Sequence, residues 1–345
     1  MNKLSHCFLS IPLALGLAAC GGGGGDSSSN NKPPQPPLPV ATTEVFVGDV
    51  IVARLENGQT KTVPLANLND VTSYGNGHSK RGDVLLIPST SGVVVYNMAT
   101  SSVVREIPFT GQIVNVRHLD DSTALVLRRR ERYSFVENGR PATDANNLLT
   151  VNLTTGAVTN MVQLGNTDTH LANGLSVDVG GRNAWVTLNA LAGAGKVVKI
   201  SLGDGAIKDV SSITGNAIQC GENTSTVFLC RQGGGGFALS KTDGSTRPLT
   251  TEAEAQGYAE DSTYAYYTLF SAAQLVRVTK ATGGKEMLAT GANPTSVFIG
   301  KTGDILVLDS DPATTPSKRR LMKYTFTSAP SEVYSAGILY QYDFR

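Results

Sequence analysis

The chain has 345 residues, 40% of them hydrophobic and 17% charged, and its 29 Lys and Arg against 28 Asp and Glu leave a formal net charge of +1. That balance argues against a general nucleic-acid or polyanion binder, which concentrates basic charge. The length exceeds an average domain but suits one large all-β domain, so it does not by itself divide the chain.

The first segment is a short start carrying Lys3, then an apolar run from Phe8 to Ala19 that closes in Leu17-Ala18-Ala19-Cys20. The run is too short to cross a bilayer and reads as a secretory h-region with small residues at the cut. The Leu-Ala-Ala-Cys box resembles the bacterial lipoprotein signal. That resemblance implies a signal peptide over residues 1–19, cleavage before Cys20, and a diacylglycerol on the Cys20 sulfur. Two or more acyl chains anchor stably, so Cys20 is the expected membrane contact, with palmitate-type acylation. Gly21, in place of Asp, resembles the outer-membrane sorting signal of enteric-type bacteria. A plain secretory signal with an accidental cysteine is the alternative.

Residues 20–42 form the next segment: five glycines, then Asp-Ser-Ser-Ser-Asn-Asn, then Pro33, Pro34, Pro36, Pro37 and Pro39. The glycines predict flexible coil and the prolines a semi-rigid polyproline II spacer. No strand precedes the glycines and no helix follows, which excludes a phosphate-binding loop.

From residue 43 to 345 the pattern is β throughout. Short apolar runs lie near Ile51, Leu86, Val126, Val186, Phe228, Tyr266 and Val307, each bounded by Asp, Asn, Ser, Gly or Arg turns. No stretch sustains a helical period; Thr251–Gln256 reads as at most one exposed helical turn. Strand-like pieces run into Asn152-Leu153-Thr154-Thr155-Gly156, Ser201-Leu202-Gly203-Asp204-Gly205, Ser240-Lys241-Thr242-Asp243-Gly244 and Thr279-Lys280-Ala281-Thr282-Gly283. The closing glycines step by 49, 39 and 39 residues. Ala172-Asn173-Gly174-Leu175-Ser176-Val177 recurs as Ala292-Asn293-Pro294-Thr295-Ser296-Val297, 120 residues on. A period near forty with several strands per period is the signature of a propeller. The expected fold is a single β-propeller of seven four-stranded blades, its C-terminal strand from Ile338 to Phe344 completing the first blade and removing an exposed edge. Six or eight blades, or a pair of β-sandwiches, are the alternatives. Ala-Asn-Pro-Thr-Ser-Val followed by Lys301-Thr302-Gly303-Asp304-Ile305 resembles the repeat of YVTN/NHL-type propellers, from Asn173 onward. This resemblance implies fold; propellers host enzymes, scaffolds and adhesins alike.

Candidate chemistry is sparse. Cys220 and Cys230 flank Gly221-Glu222-Asn223, read as a hairpin turn, so a disulfide stapling neighbouring strands is expected in an oxidising compartment. Zinc binding is the alternative, with no third or fourth ligand nearby. Asn173-Gly174-Leu175 resembles the Asn-Gly-Leu stretch of the gluconolactonase and regucalcin propellers. There an asparagine, an aspartate and a glutamate hold calcium, which polarises a lactone carbonyl. The resemblance maps the asparagine onto Asn173 and the aspartate onto Asp309; the glutamate has no match. His78, His118 and His170 are expected on surface loops, with a channel-facing position near a blade edge as the alternative. The densest charge is Arg128-Arg129-Arg130-Glu131-Arg132-Tyr133, leading into a long insertion around Glu137–Asn147, and Arg128, Arg129, Arg130, Arg132 and Tyr133 are the candidate contacts to an acidic partner or lipid headgroups. A solvated strand edge is the alternative there. Arg81-Gly82-Asp83 is read as ordinary turn chemistry. Gly-x-Ser-x-Gly is absent, and one Trp is too few for quinoprotein or WD40 docking motifs. The sequence expectation is a lipid-anchored envelope lipoprotein whose monomeric propeller binds an envelope or cell-surface partner, without nucleic acid, cofactor or catalysis; a calcium-dependent lactonase or lyase is the alternative.

Overall fold

The computed structural model describes residues 42–48, 50–64, 77–89, 92–109, 111–129, 145–166, 169–190, 194–210, 215–231, 235–310, 313, 319–335 and 339–343. Cys20 and the whole segment before Thr42 lie outside the described residues, as do Arg130, Arg132 and Tyr133.

Every element among the described residues is a strand, and the strands form seven four-stranded antiparallel sheets set as blades in a ring. The first blade holds β1 (Thr42–Gly48), β2 (Val50–Leu55) and β3 (Thr60–Pro64). The second holds β4 (Ser79–Arg81), β5 (Val84–Pro88), β6 (Gly92–Asn97) and β7 (Ser102–Pro108). The third holds β8 (Gln112–His118), β9 (Thr123–Arg129), β10 (Ala145–Asn152) and β11 (Val158–Asn166), and the fourth β12 (His170–Val177), β13 (Asn183–Ala190), β14 (Lys196–Ser201) and β15 (Ile207–Asp209). The fifth holds β16 (Ala217–Glu222), β17 (Thr226–Arg231), β18 (Gly236–Ser240) and β19 (Thr246–Thr250). The sixth holds β20 (Ala255–Glu260), β21 (Tyr264–Leu269), β22 (Gln274–Thr279) and β23 (Lys285–Ala289). The seventh holds β24 (Ala292–Ile299), β25 (Ile305–Ser310), β26 (Arg319–Tyr324) and β27 (Ser331–Ser335). The last strand, β28 (Leu339–Asp343), returns to the first blade as its innermost strand, with Val45 opposite Asp343 and Phe46 opposite Tyr342. The expected closure is therefore present. The run centred on Ile51 is the third strand of its blade, not the second; Phe46 in β1 holds the place that Leu86 and Val126 hold in the next two blades.

The runs are continuously apolar because each blade is buried on both faces, and successive side chains point to opposite neighbours. Val45 and Val47 pack with Leu85 and Ile87 of the second blade. Phe46 between them packs with Phe298, Leu306 and Leu321 of the seventh. Leu86 turns away from the first blade to meet Val116 and Val126 of the third. Each of the seven blade-to-blade interfaces has its own buried apolar cluster. Outermost strands are solvated instead: all of β15 is exposed, and so is most of β7.

The repeated glycines close the turn between third and fourth strands. Gly156, Gly205, Gly244 and Gly283 have φ between +72° and +78°, the left-handed region that glycine enters without penalty. Each donates its N–H back to the last residue of the preceding strand, at 2.8–2.9 Å. A second glycine series serves packing rather than turning. A Cβ on Gly221 would lie 2.1 Å from the Tyr258 carbonyl oxygen of the sixth blade, and one on Gly257 would lie 2.5 Å from Ser296 Cα of the seventh. The innermost strands converge here, at bulges between Gln219 and Gly221 and between Ala255 and Tyr258. Gly221 and Glu222 thus belong to strand β16, and the hairpin turn read onto them lies one step later, at Asn223–Ser225, where Asn223 Oδ1 accepts the N–H groups of Ser225 and Thr226. Thr251–Gln256 is also not helical: a turn at Ala253 and Glu254 leads directly into β20.

A charged seam joins the seventh blade to the first. Glu44, 1% exposed, accepts the Lys301 N–H at 2.6 Å. Arg54 reaches Glu44 at 3.4 Å and Asp304 at 2.7 Å, and Lys323 meets Asp304 at 2.6 Å. Burial works against charge on Asp304, but Lys323 and Arg54 outweigh it and hold the carboxyl down at about 2.

Candidate functional site

The innermost strands bring together charges that lie far apart in sequence. Arg117 on β8, Ser176 on β12 and Glu222 on β16 come from three successive blades. Arg117 donates from Nη2 to Glu222 Oε1 at 3.1 Å and from Nε at 3.2 Å. Its Nη1 donates to Asn115 Oδ1 at 2.6 Å and to the His78 carbonyl at 3.1 Å. The other carboxylate oxygen of Glu222 accepts from Ser176 Oγ and from Lys241 Nζ, the latter at 2.8 Å. Lys241 also donates to the Asn223 carbonyl at 2.7 Å. The side chains of Arg117, Lys241 and Glu222 are 4%, 3% and 10% exposed, so each desolvated charge is matched by an opposite one at contact distance, as burial requires.

Beside this network opens a cavity of about 230 Å³. Its walls come from the turns between first and second strands of the second to fifth blades, including Arg81, Leu119 and Asp178, with Lys241 at its edge. His118 contributes from the end of β8, its Nδ1 3.1 Å from Ser79 Oγ. His78 and His118 are 3% and 7% exposed. They are not on surface loops as expected, because the polar stretch around them is the buried inner strand of its blade. His170 opens β12 and contacts Thr169 Oγ1 at 3.0 Å.

Cys220 and Cys230 form the expected disulfide between β16 and β17, with Cα atoms 5.9 Å apart. Arg128 and Arg129 end β9; Arg129 donates to Gln112 Oε1 at 2.7 Å and to the Ala172 carbonyl at 3.2 Å. Asn173 and Asp309 sit on the fourth and seventh blades and share no bond among the described residues. Asn173 Oδ1 accepts from the Thr187 hydroxyl, while a Cβ on Gly174 would press on Thr187 and on Gln219 of the next blade. Asp309 is fully buried and accepts from the Gly291 N–H at 2.8 Å, the Tyr324 hydroxyl at 3.0 Å and Arg320 Nε at 3.0 Å. Among the described residues, no three His, Cys, Asp or Glu side chains gather as a metal site.

Arg117, Glu222 and Lys241 escaped the sequence reading, although one signal for them exists. Lys241 occupies the repeat position filled by Leu153 and Leu202 in earlier blades. Glu222-Asn223 with Lys241 is repeated as Glu260-Asp261 with Lys280, whose Nζ donates to the Asp261 carbonyl at 2.9 Å and meets Glu260 at 3.4 Å.

These features define a seven-bladed β-propeller. No family model and no curated protein matches the chain. Among solved structures it is similar to the β-propeller domain of Cps50 (Swd1) from Myceliophteria thermophila, at 11% identity over 84% of this chain and 98% of that one, with a TM-score of 0.52. It is also similar to the acylaminoacyl peptidase of Pyrococcus horikoshii, at 12% identity, covering 83% of this chain and 47% of that one, with a TM-score of 0.52. At such identities the likeness is one of fold.

Proposed function

We propose that the chain is a YVTN/NHL-like binding module of the bacterial cell envelope, lipid-anchored through Cys20 in the outer membrane. One observation carries the non-catalytic reading: Arg117 of the third blade and Lys241 of the fifth are both spent on Glu222, which also takes the hydroxyl of Ser176 from the blade between. That arrangement braces the ring rather than presenting a group for proton transfer. In this reading the propeller is a rigid scaffold, and Arg128 with the arginines and Tyr133 that follow contacts an acidic envelope partner.

The test has two parts. Mass spectrometry of the purified protein is expected to give an N-terminal peptide beginning at acylated Cys20, and Cys20→Ala is expected to release the protein from membranes. Mild crosslinking followed by affinity capture from envelope extracts is expected to yield a stable complex that Arg128→Ala/Arg130→Ala weakens. An unacylated, freely soluble mature chain would overturn the anchor, and lactone hydrolysis lost on calcium removal would overturn the non-catalytic reading.

A further inference from the structure

We propose that the cavity beside the Arg117–Glu222–Lys241 network is a binding site for a small organic carboxylate, with Arg81 holding the carboxylate and Leu119, Val177 and Val179 covering its apolar body. None of the residues lining the cavity belongs to the arginine-rich run, and the ligand is of a different kind.

Arg81 supplies the recognition. Its Nε is bonded to Asp121, while its two terminal nitrogens make no bond among the described residues. Asp121 is 90% exposed, so the pair is screened by water and leaves the guanidinium recruitable. The free end of a guanidinium matches a carboxylate with two parallel N–H···O bonds. Lys241 also lines the wall, its charge already matched by Glu222 at 2.8 Å, so Arg81 is the cation offered to a ligand. The one carboxylate in that wall, Asp178, is turned into its own loop. Its Oδ1 accepts the Arg182 N–H at 2.8 Å and its Oδ2 accepts from Asn183 Nδ2 at 2.7 Å.

Part of the lining is apolar. Leu119, Val177 and Val179 line the cavity, Val179 being 83% exposed. An isopropyl group held in water beside a cleft gains from being covered. A bare phosphate offers nothing to that part of the lining. Size narrows the class further. At about 230 Å³ the cavity is smaller than the roughly 300–1,000 Å³ of drug-sized sites. It has room for about eight water volumes of ~30 Å³, which suits a carboxylate on one ring or a short chain.

The test is calorimetric titration of the full chain with benzoate and hexanoate, and with benzamide and inorganic phosphate as contrasts. Benzoate and hexanoate are expected to bind, and benzamide at least about tenfold more weakly. Arg81→Ala is expected to weaken benzoate about tenfold, Val179→Asn several-fold, and Lys208→Ala on the exposed β15 not at all. Arg81 is 49% exposed at the end of β4, so its replacement leaves the sheets intact, which the fluorescence of Trp185 checks. No binding of either carboxylate, equal binding of benzamide, saturation by phosphate alone, or indifference to Arg81→Ala would each overturn the proposal. A loss of benzoate binding with envelope capture unchanged would leave the scaffold reading standing.

Discussion

Arg117 and Glu222 lie 105 residues apart with a whole blade between them, yet their side chains meet at 3.1 Å. Ser176, from the intervening blade, completes the bridge by donating to the same carboxylate. Glu222 is therefore the acceptor that ties three sheets together at the inner radius, whereas each apolar cluster among the described residues spans a single interface.

Removing that acceptor strands two buried cations. Glu222→Ala is expected to destabilise the propeller by about 3–5 kcal/mol, the usual cost of breaking one side of a buried pair. The double variant Arg117→Ala/Glu222→Ala should lose less than the sum of its singles, because the two residues are in contact. Denaturant unfolding followed by the single tryptophan, Trp185, 2% exposed in the interface of the fourth and fifth blades, measures both. Additive losses would mean the two side chains do not share an interaction.

The glycines of the inner strands make a second prediction. Gly221→Ala drives a methyl into the Tyr258 carbonyl, and Gly257→Ala drives one into the Ser296 backbone. Neither neighbour is a flexible side-chain tip, so strands must move, at about 1–3 kcal/mol or more per site. Gly203→Ala, with open space around its Cβ position, is the control and should change the melting temperature little. Equal melting temperatures for all three variants would refute close packing at the inner ring.

Acid should loosen the seam between the seventh and first blades. Asp304 is held at about 2 against a reference of 3.8, so its contribution is complete above pH ~4 and falls away as pH drops toward ~2. The size is on the order of 2 kcal/mol. Asp304→Asn should lower stability at neutral pH and flatten the decline between pH ~4 and ~2 relative to the parent. A parallel decline in both proteins would assign the acid limb to other groups.

The disulfide closes a short loop, its cysteines 10 residues apart. Reduction, or Cys220→Ser/Cys230→Ser, is expected to lower stability by about 2–3 kcal/mol. The strands it joins are already paired through Ile218–Cys230 and Gln219–Leu229, so the reduced protein should keep its far-ultraviolet β spectrum. Loss of that spectrum on reduction would show that the bond holds the blade rather than reinforcing it.

The blades were legible in the sequence because burial on both faces turns each strand into an apolar run that composition alone reveals. Leu85, Leu86 and Ile87 are all fully buried, although they face different neighbours. The Gly156, Gly205, Gly244 and Gly283 spacing worked for a related reason, since the turn demands a backbone conformation that few residues supply. Inner strands gave an uneven signal: the Ala172–Val177 and Ala292–Val297 repeat lies on two of them, β12 and β24, while others read as polar. Ser79-Lys80-Arg81 reads as a polar loop because Ser79 meets the N–H and ring of His118, and Arg81 meets Asp121, both of the third blade, rather than a greasy face. The turn read onto Arg81-Gly82-Asp83 begins one residue later, at Gly82 with φ +56°, while Arg81 ends strand β4; its place in a cavity wall depends on three other blades. Asn173-Gly174-Leu175 resembled a metal motif, while in the structure its residues bond Thr187, admit Gln219 and fill the core.

Because β28 pairs with β1, the two extremities of the folding unit are needed at the same moment. A ribosome emits Thr42 long before Leu339, so the first sheet waits, one edge open, until Leu339–Asp343 has emerged. Any prematurely terminated copy is left with a gap in its ring and an unsatisfied strand for proteases or aggregating neighbours to find. The architecture thereby doubles as a proofreading step: only a molecule synthesised through β28 can hide the seam of its first blade.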